Sequence, residues 1–289
     1  MGAVKTWLPT GPSALNCVAM LPLSLLLLLA LAPVSAPDLS LENQLRQEYV
    51  GSQRLLHHFY AADTLKFNIA GEPLNQERTI PWTLAGAVVI EKVTLERQKL
   101  ELQGHRRLVT FDHQHKQLTF TKLNEKIWIE VATSNGPDQA RQLRSALAKV
   151  FADVDDLPSL LPEYWRDYMT RFLGKQSGGC EERQPHATAG VASQPVAITS
   201  RGVSPGHLIK KAEPYYLPIA RKAGIEGDVQ LRAVISKTGL VTDICIVKAL
   251  GAGLDDSLIA AVRQWQYSPY LLNGEPVEIQ TSIKTTFHQ

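Results

Sequence analysis

The 289-residue sequence predicts an α+β fold with its parts in series: an N-terminal membrane or signal segment, an antiparallel sheet with helices, and a small C-terminal block ordered helix, strand, strand, helix, strand. Three observations predict it. Runs that alternate apolar and polar residues fill the middle of the chain, helical apolar spacing flanks them, and a Gly-, Ser- and Pro-rich stretch separates them from a second set of the same signals. With 44% hydrophobic and 20% charged residues the chain can bury more than one core, which excludes global disorder.

Residues 1–36 meet a membrane. No charge falls between Lys5 and Asp38, and Leu21 to Ala32 is an apolar, leucine-dense core interrupted by Ser24 alone. From Cys17 to Ala32 a helix is about 24 Å long against a hydrocarbon core of about 30 Å, which suits a cleaved signal better than a comfortable span. Val34-Ser35-Ala36 and Ala30-Leu31-Ala32 both read as small-residue cleavage sites, yet each is followed by a proline, Pro37 or Pro33, that hinders a protease reading extended substrate. Signal peptide and retained anchor both stay open, and either sends the rest of the chain beyond the cytoplasmic membrane, into the cell envelope.

The stretch 39–173 reads as an α+β domain. Leu41, Leu45, Tyr49 and Leu56 suit an opening helix from Leu39 to Leu56 capped by Ser40. Five or six antiparallel strands follow in the runs Leu65–Ile69, Ala87–Leu95, Leu100–Leu102, Leu108–Phe111, Leu118–Phe120 and Ile127–Val131. Pro137–Ala152 and Leu157–Leu173 then show helical spacing. The stretch 174–205 has almost no periodic apolar content and reads as a flexible linker.

The stretch 206–289 is the most readable. Pro214–Ala223 suggests a short helix, Val229–Ala233 alternates, Ser236–Gly239 turns, and Val241–Lys248 pairs back as a hairpin. Leu254, Leu258, Val262 and Trp265 recur at helical spacing, with Asp255 and Asp256 in the first turn where they favour the positive helix end. Asn273-Gly274 turns the chain into a last strand with Val277, Ile279, Ile283 and Phe287 on one face. That strand is expected at a sheet edge.

Composition narrows the function classes. Basic and acidic residues number 17 and 18 over 38–173 and 9 and 8 over 202–289, which gives neither half the charge of a nucleic-acid binder. Cys17, Cys180 and Cys245 are too few and too irregular for a zinc site or a disulfide framework, although one bridge from Cys180 to Cys245 stays open.

The residues Tyr216, Ala220, Ile225-Glu226-Gly227-Asp228-Val229, Gly239, Leu250-Gly251, Gly253-Leu254-Asp255, Ala261-Val262-Arg263, Trp265, Tyr267, Pro269, Asn273-Gly274 and Pro276-Val277, in this order and spacing, resemble the carboxy-terminal domain of TonB-type energy transducers. The resemblance covers about 75 of the 289 residues. It implies a periplasmic domain that pairs its last strand with an extended segment of an outer-membrane TonB-dependent transporter, while an inner-membrane proton-driven motor works on a membrane anchor. Energy transduction in transmembrane transport is the function it implies, and peptide binding or scaffolding without a motor is the alternative.

The implied contact residues are Glu213, where TonB carries a glutamine, Tyr216, Val277, Ile279, Gln280, Thr281, Ser282, Ile283, Lys284, Thr285 and Phe287. The physics of an edge strand agrees, because its free N–H and C=O groups take up an added strand with little demand on partner side chains. The same edge also suits a homodimer.

Other motifs have blander readings. Gly251-Ala-Gly253 begins like a dinucleotide fingerprint, but Asp256 stands where the third glycine belongs, so the glycines turn the chain into a helix. His113-Gln-His115 and His57-His58 name no third metal ligand, and Asp153, Asp155 and Asp156 lack the glycine and glutamate of a calcium loop. Trp265 and Tyr267 read as core aromatics. Local motifs for a catalytic nucleophile or phosphate loop are absent, so no catalytic residue, metal or cofactor is expected.

Overall fold

The computed structural model describes residues 40–74, 78–174, 195–197 and 201–289. The predicted membrane or signal segment, 1–36, lies outside them, as do Cys17 and Cys180. Among the described residues no helix is long and apolar enough to cross a membrane.

Helix α1 (Leu41–Tyr49) starts at Ser40, whose hydroxyl accepts from Asn43 N–H. It stops earlier than the apolar spacing predicts. Gly51 takes φ +77°, and the chain re-enters as strand β1 (Gln53–Leu56), so Leu56 joins the sheet instead of the helix. Strand β2 (Thr64–Phe67) and the single turn α2 (Trp82–Ala85) lead into the long meander β3 (Ala87–Leu95), β4 (Lys99–Asp112) and β5 (Gln117–Ala132).

Helix α3 (Gln139–Val150), strand β6 (Phe151–Ala152), the turn α4 (Leu157–Leu160) and helix α5 (Glu163–Phe172) complete this part. Pro162 divides α4 from α5, where periodicity alone predicts one helix. The sheet order is β2-β5-β4-β3-β1-β6, antiparallel except where β2 runs parallel to β5.

Four of the predicted short strands are halves of β4 and β5. The sequence reading breaks the strand by a turn between Leu102 and Leu108, yet Arg106 is buried there and its guanidinium donates to the carbonyls of Ala85 (3.1 Å), Tyr60 (2.9 Å) and Ala62 (2.6 Å). At Gly104 a Cβ would overlap the carbonyl of Val89, so this strand passes its neighbour only as glycine.

In the C-terminal part β7 (Val196–Ala197), β8 (Val203–Ser204) and β9 (Leu208–Lys210) precede helix α6 (Pro218–Lys222). The hairpin β10 (Gly227–Ile235) and β11 (Val241–Lys248) closes through Ser236–Gly239 as the sequence predicts. Helix α7 (Leu254–Val262) follows, then β12 (Gln266–Tyr267), β13 (Tyr270–Leu272), β14 (Glu275–Val277) and β15 (Ile279–Phe287). Asn273 (φ +53°) and Gly274 (φ +93°) form the left-handed turn between β13 and β14.

The main C-terminal sheet is ordered β11-β10-β15-β7, with smaller pairs β12-β9 and β14-β13-β8 beside it. Cys245, buried on β11, is disulfide-bonded, and its partner lies outside the described residues.

Residues 39–289 form one compact unit. A single apolar cluster joins Leu108, Val109, Trp165 and Tyr168 to Val229, Leu231, Ile246 and Leu258. Backbone links reinforce it: Ala252 N–H donates to Val109 O (2.9 Å), and Thr110 bridges Gly251. Gly251 has φ +91°, and a Cβ there would overlap that same Val109 carbonyl. A second core lies where α1 and α3 cover β3, β4 and β5.

Candidate partner-strand interface

Strand β15 is built by alternation. Ile279, Ile283 and Phe287 point inward and are buried, while Ser282 and Lys284 face outward and Gln280, Thr281 and Thr285 are half-buried. It pairs with β10 antiparallel over its whole length, from Ile235↔Ile279 to Gly227↔Phe287, with no shift of register. Among the described residues its outer edge takes only β7, in parallel, at Ile279↔Val196 and Gln280↔Ala197. From Thr281 to Phe287 no described strand pairs with that side, so its outward N–H and C=O groups are available to another chain.

The ends of the strand are held by specific contacts. Asp228 accepts from Lys284 Nζ (2.8 Å) and Thr286 Oγ1 (2.7 Å), and the lysine first, then the threonine, hold its carboxyl below the usual range. Phe287 meets Tyr216 edge to face at 5.6 Å, the Arg221 guanidinium lies 4.8 Å from the Tyr216 ring centre, and Tyr216 Oη donates to Ile225 O (2.8 Å). Burial, aided by Glu226, raises the Tyr216 pKa above that of a free phenol.

The structure therefore brings Tyr216 together with the predicted residues 279–287. It separates two others. Val277 belongs to β14, pairs with Tyr270 and joins a small cluster with Ile235 and Ile279, because the chain breaks step at Glu278. Glu213 is exposed and pairs with Lys211 at 2.6 Å. Arg221, which lies over Tyr216 at the end of the strand, carried no pattern in the sequence, since it looks like an ordinary surface charge, whereas Asp228 falls inside the Ile225–Val229 run quoted for the resemblance.

The opposite edge of the sheet is closed. Helix α5 packs along β11, Arg171 Nη2 donates to Ile246 O (2.9 Å), and His113 Nε2 lies 2.7 Å from Ala249 O. Trp165 Nε1 and Tyr164 Oη both donate to Asp256 at the start of α7. Asp255 accepts from the N–H groups of Leu250 (2.9 Å) and Gly251 (2.6 Å), so the residues that resemble a nucleotide loop are filled by the protein's own carboxylate. Burial pushes the Asp255 pKa up to about 7, against those two hydrogen bonds, and burial raises that of Asp256 as well.

His115 bonds Asp112, and no group of three or more His, Cys, Asp or Glu suited to a metal occurs among the described residues. Trp265 is buried with Nε1 donating to Ala212 O (2.7 Å), in keeping with a core role.

Residues 212–288 match the family model described as "Gram-negative bacterial TonB protein C-terminal". The chain carries a TonB C-terminal domain. Curated relatives agree: Protein TonB of Vibrio cholerae serotype O1 is 32% identical over 102 residues, 35% of this chain and 40% of that protein. Protein TonB of Xanthomonas campestris pv. campestris strain B100 is 27% identical over 93 residues, 32% of this chain and 38% of that protein. The match thus spans about two fifths of each relative's length. A solved structure, the solution NMR structure of the Pseudomonas aeruginosa TonB C-terminal domain, is 21% identical, covers 32% of this chain and 93% of that one, and aligns with a TM-score of 0.27.

Proposed function

We propose that the chain is a non-enzymatic TonB-type energy transducer of the cell envelope, which engages an outer-membrane transporter by adding the transporter's extended segment to the edge of β15. The observation that carries this reading is the edge itself: a regular nine-residue strand paired on one side along its whole length and, among the described residues, on the other only at Ile279 and Gln280. Main-chain hydrogen bonds give such an interface its affinity, and the contact runs along 279–287 with Tyr216 at its end and Glu213 and Val277 flanking it. Residues 1–36 supply the attachment to the inner membrane and to a proton-driven motor. No cofactor, metal or nucleic acid enters this function.

The test uses proline. Successive N–H groups of a strand point to opposite sides, so of the variants Ser282→Pro and Ile283→Pro one deletes an outward donor and leaves the pairing with β10 intact. The expected result is loss of transporter-peptide binding in a protein whose circular dichroism is unchanged, with Cys180→Ser binding normally. Two folded proline variants that still bind would overturn the edge-strand mechanism.

A second reading, peptide binding or scaffolding in the periplasm without a motor, is favoured by one observation: residues 40–174 share a core with the domain instead of forming an extended spacer. Intact mass after alkaline carbonate extraction separates the two. A retained residue 1–36 segment in the membrane pellet supports transduction; a soluble chain beginning near Pro37 supports scaffolding.

A further inference from the structure

We infer that the chain carries its own competitor for the partner's place: β7, Val196–Ala197, is a built-in strand that occupies one end of the open edge and must leave before a partner can pair along the whole of β15. This rests on the edge-strand reading. The pairing is direct, Val196 on Ile279 and Ala197 on Gln280, and it uses the same outward backbone groups a partner strand would use.

The competitor is also tethered. Six residues beyond Ala197, β8 pairs with β13 through Val203↔Leu272 and Ser204↔Leu271, and Asn273 N–H donates to Gly202 O. Val203 packs beside Tyr270 and Ile279 in a small apolar cluster. A tether of six residues reaches at most about 20 Å, so β7 is held near the edge at an effective concentration in the millimolar range.

Two paired residues make a weak latch, not a lock. Their backbone hydrogen bonds are worth little in net terms, and the price to a partner is the fraction of molecules in which the edge is free. A partner that reads the full strand gains about threefold to tenfold in apparent affinity when β7 is removed. A partner confined to Thr281–Phe287 gains nothing, so β7 discriminates by the length of strand the partner offers.

The experiment takes the full chain in detergent and a fluorescein-labelled peptide, Lys-Thr-Val-Thr-Val-Thr-Val-Lys, read by anisotropy. The proteins compared are the wild type, the double variant Val196→Pro/Ala197→Pro, and the Ser282→Pro and Ile283→Pro variants; deuterium exchange over 279–281 is read without peptide. The expected result is binding about threefold to tenfold tighter in the double variant, with faster exchange at Ile279–Gln280. Equal affinity in wild type and double variant, with binding lost on proline in β15, overturns the competitor and leaves the edge reading standing. An absence of binding in both wild type and double variant overturns the edge reading, and the competitor falls with it.

Discussion

The two edges of the β11-β10-β15 sheet are treated in opposite ways. On the β11 side the strand is distorted, with register shifts against β10 and Asp243 at φ +44°, and helix α5 lies along it with Arg171 and His113 engaging backbone carbonyls. On the β15 side the register runs unbroken and, among the described residues, only two of β7 cover it. Bulges, covering helices and charged side chains are the usual means of keeping an edge from pairing with another chain. Here the bulges and the covering helix are spent on the β11 edge, while the open edge strand keeps one exposed charge, Lys284. The difference teaches that the open edge is not left over from folding: the same chain that protects one side so fully leaves the other ready to pair.

The comparison breaks hardest at Trp165. Its ring is fully buried in the shared core, stacks edge to face on Trp82 at 5.3 Å, and donates to the half-buried Asp256. Trp165→Ala opens a cavity and removes a donor from a half-buried carboxylate, so it destabilises the fold by about 3–5 kcal/mol. A urea midpoint that moves by less than an exposed substitution on β15 would show that α5 is an ornament on the β11 edge. The expected large shift shows that the covered edge is part of the core.

How far the sequence reveals this contrast depends on the kind of signal. The hairpin β10–β11 and helix α7 were legible because alternation, the Ser236–Gly239 turn and the helical spacing of Leu254, Leu258 and Val262 are local patterns. The last strand was legible from Ile279, Ile283 and Phe287, but its break at Glu278 was not, because Val277 continues the same alternation while joining another strand. The cover on β11 left no trace: the apolar stripe Trp165, Tyr168, Met169, Phe172 states that α5 is buried, not against what. Arg106 falls between two of the predicted strands, a charged side chain being rarely internal, and its three carbonyl partners explain its place in β4. Strand β7, two residues long, has no period to detect.

A second prediction sharpens the contrast through pH. Asp255 pins Leu250 and Gly251, the turn that bridges to Thr110, so it belongs to the covered side. Burial raises its pKa to about 7, above its unfolded value, so the folded state holds the proton more tightly than the unfolded chain does. The contribution of this group to stability is then greatest below about pH 4 and fades as pH rises toward 7, by up to about 1.4 kcal/mol per pH unit. Asp256, at the contact with Tyr164 and Trp165, adds to the slope with the same sign. Urea midpoints from pH 4.5 to 7.5 should show a shallower fall in Asp255→Asn than in the wild type. Parallel curves would mean that Asp255 stays ionised in the fold, held by its two N–H donors.

The smallest effect belongs to the open edge. Asp228 and Lys284 pair on the surface of β10 and β15, and their pairing depresses the aspartate pKa, so any stabilisation is present above the unfolded pKa and fades as pH falls through the folded one. Both groups are solvated, and salt screens such pairs. Lys284→Ala should therefore leave the urea midpoint where it was and change the salt dependence of peptide binding instead, because removing the lysine leaves Asp228 to meet an incoming strand with its charge uncompensated. An anionic peptide should lose affinity most at low ionic strength and recover it as salt is added. If Lys284→Ala shifted the folding midpoint and left the salt dependence of binding untouched, the pair would be a brace of the sheet and not a feature of the surface presented to a partner.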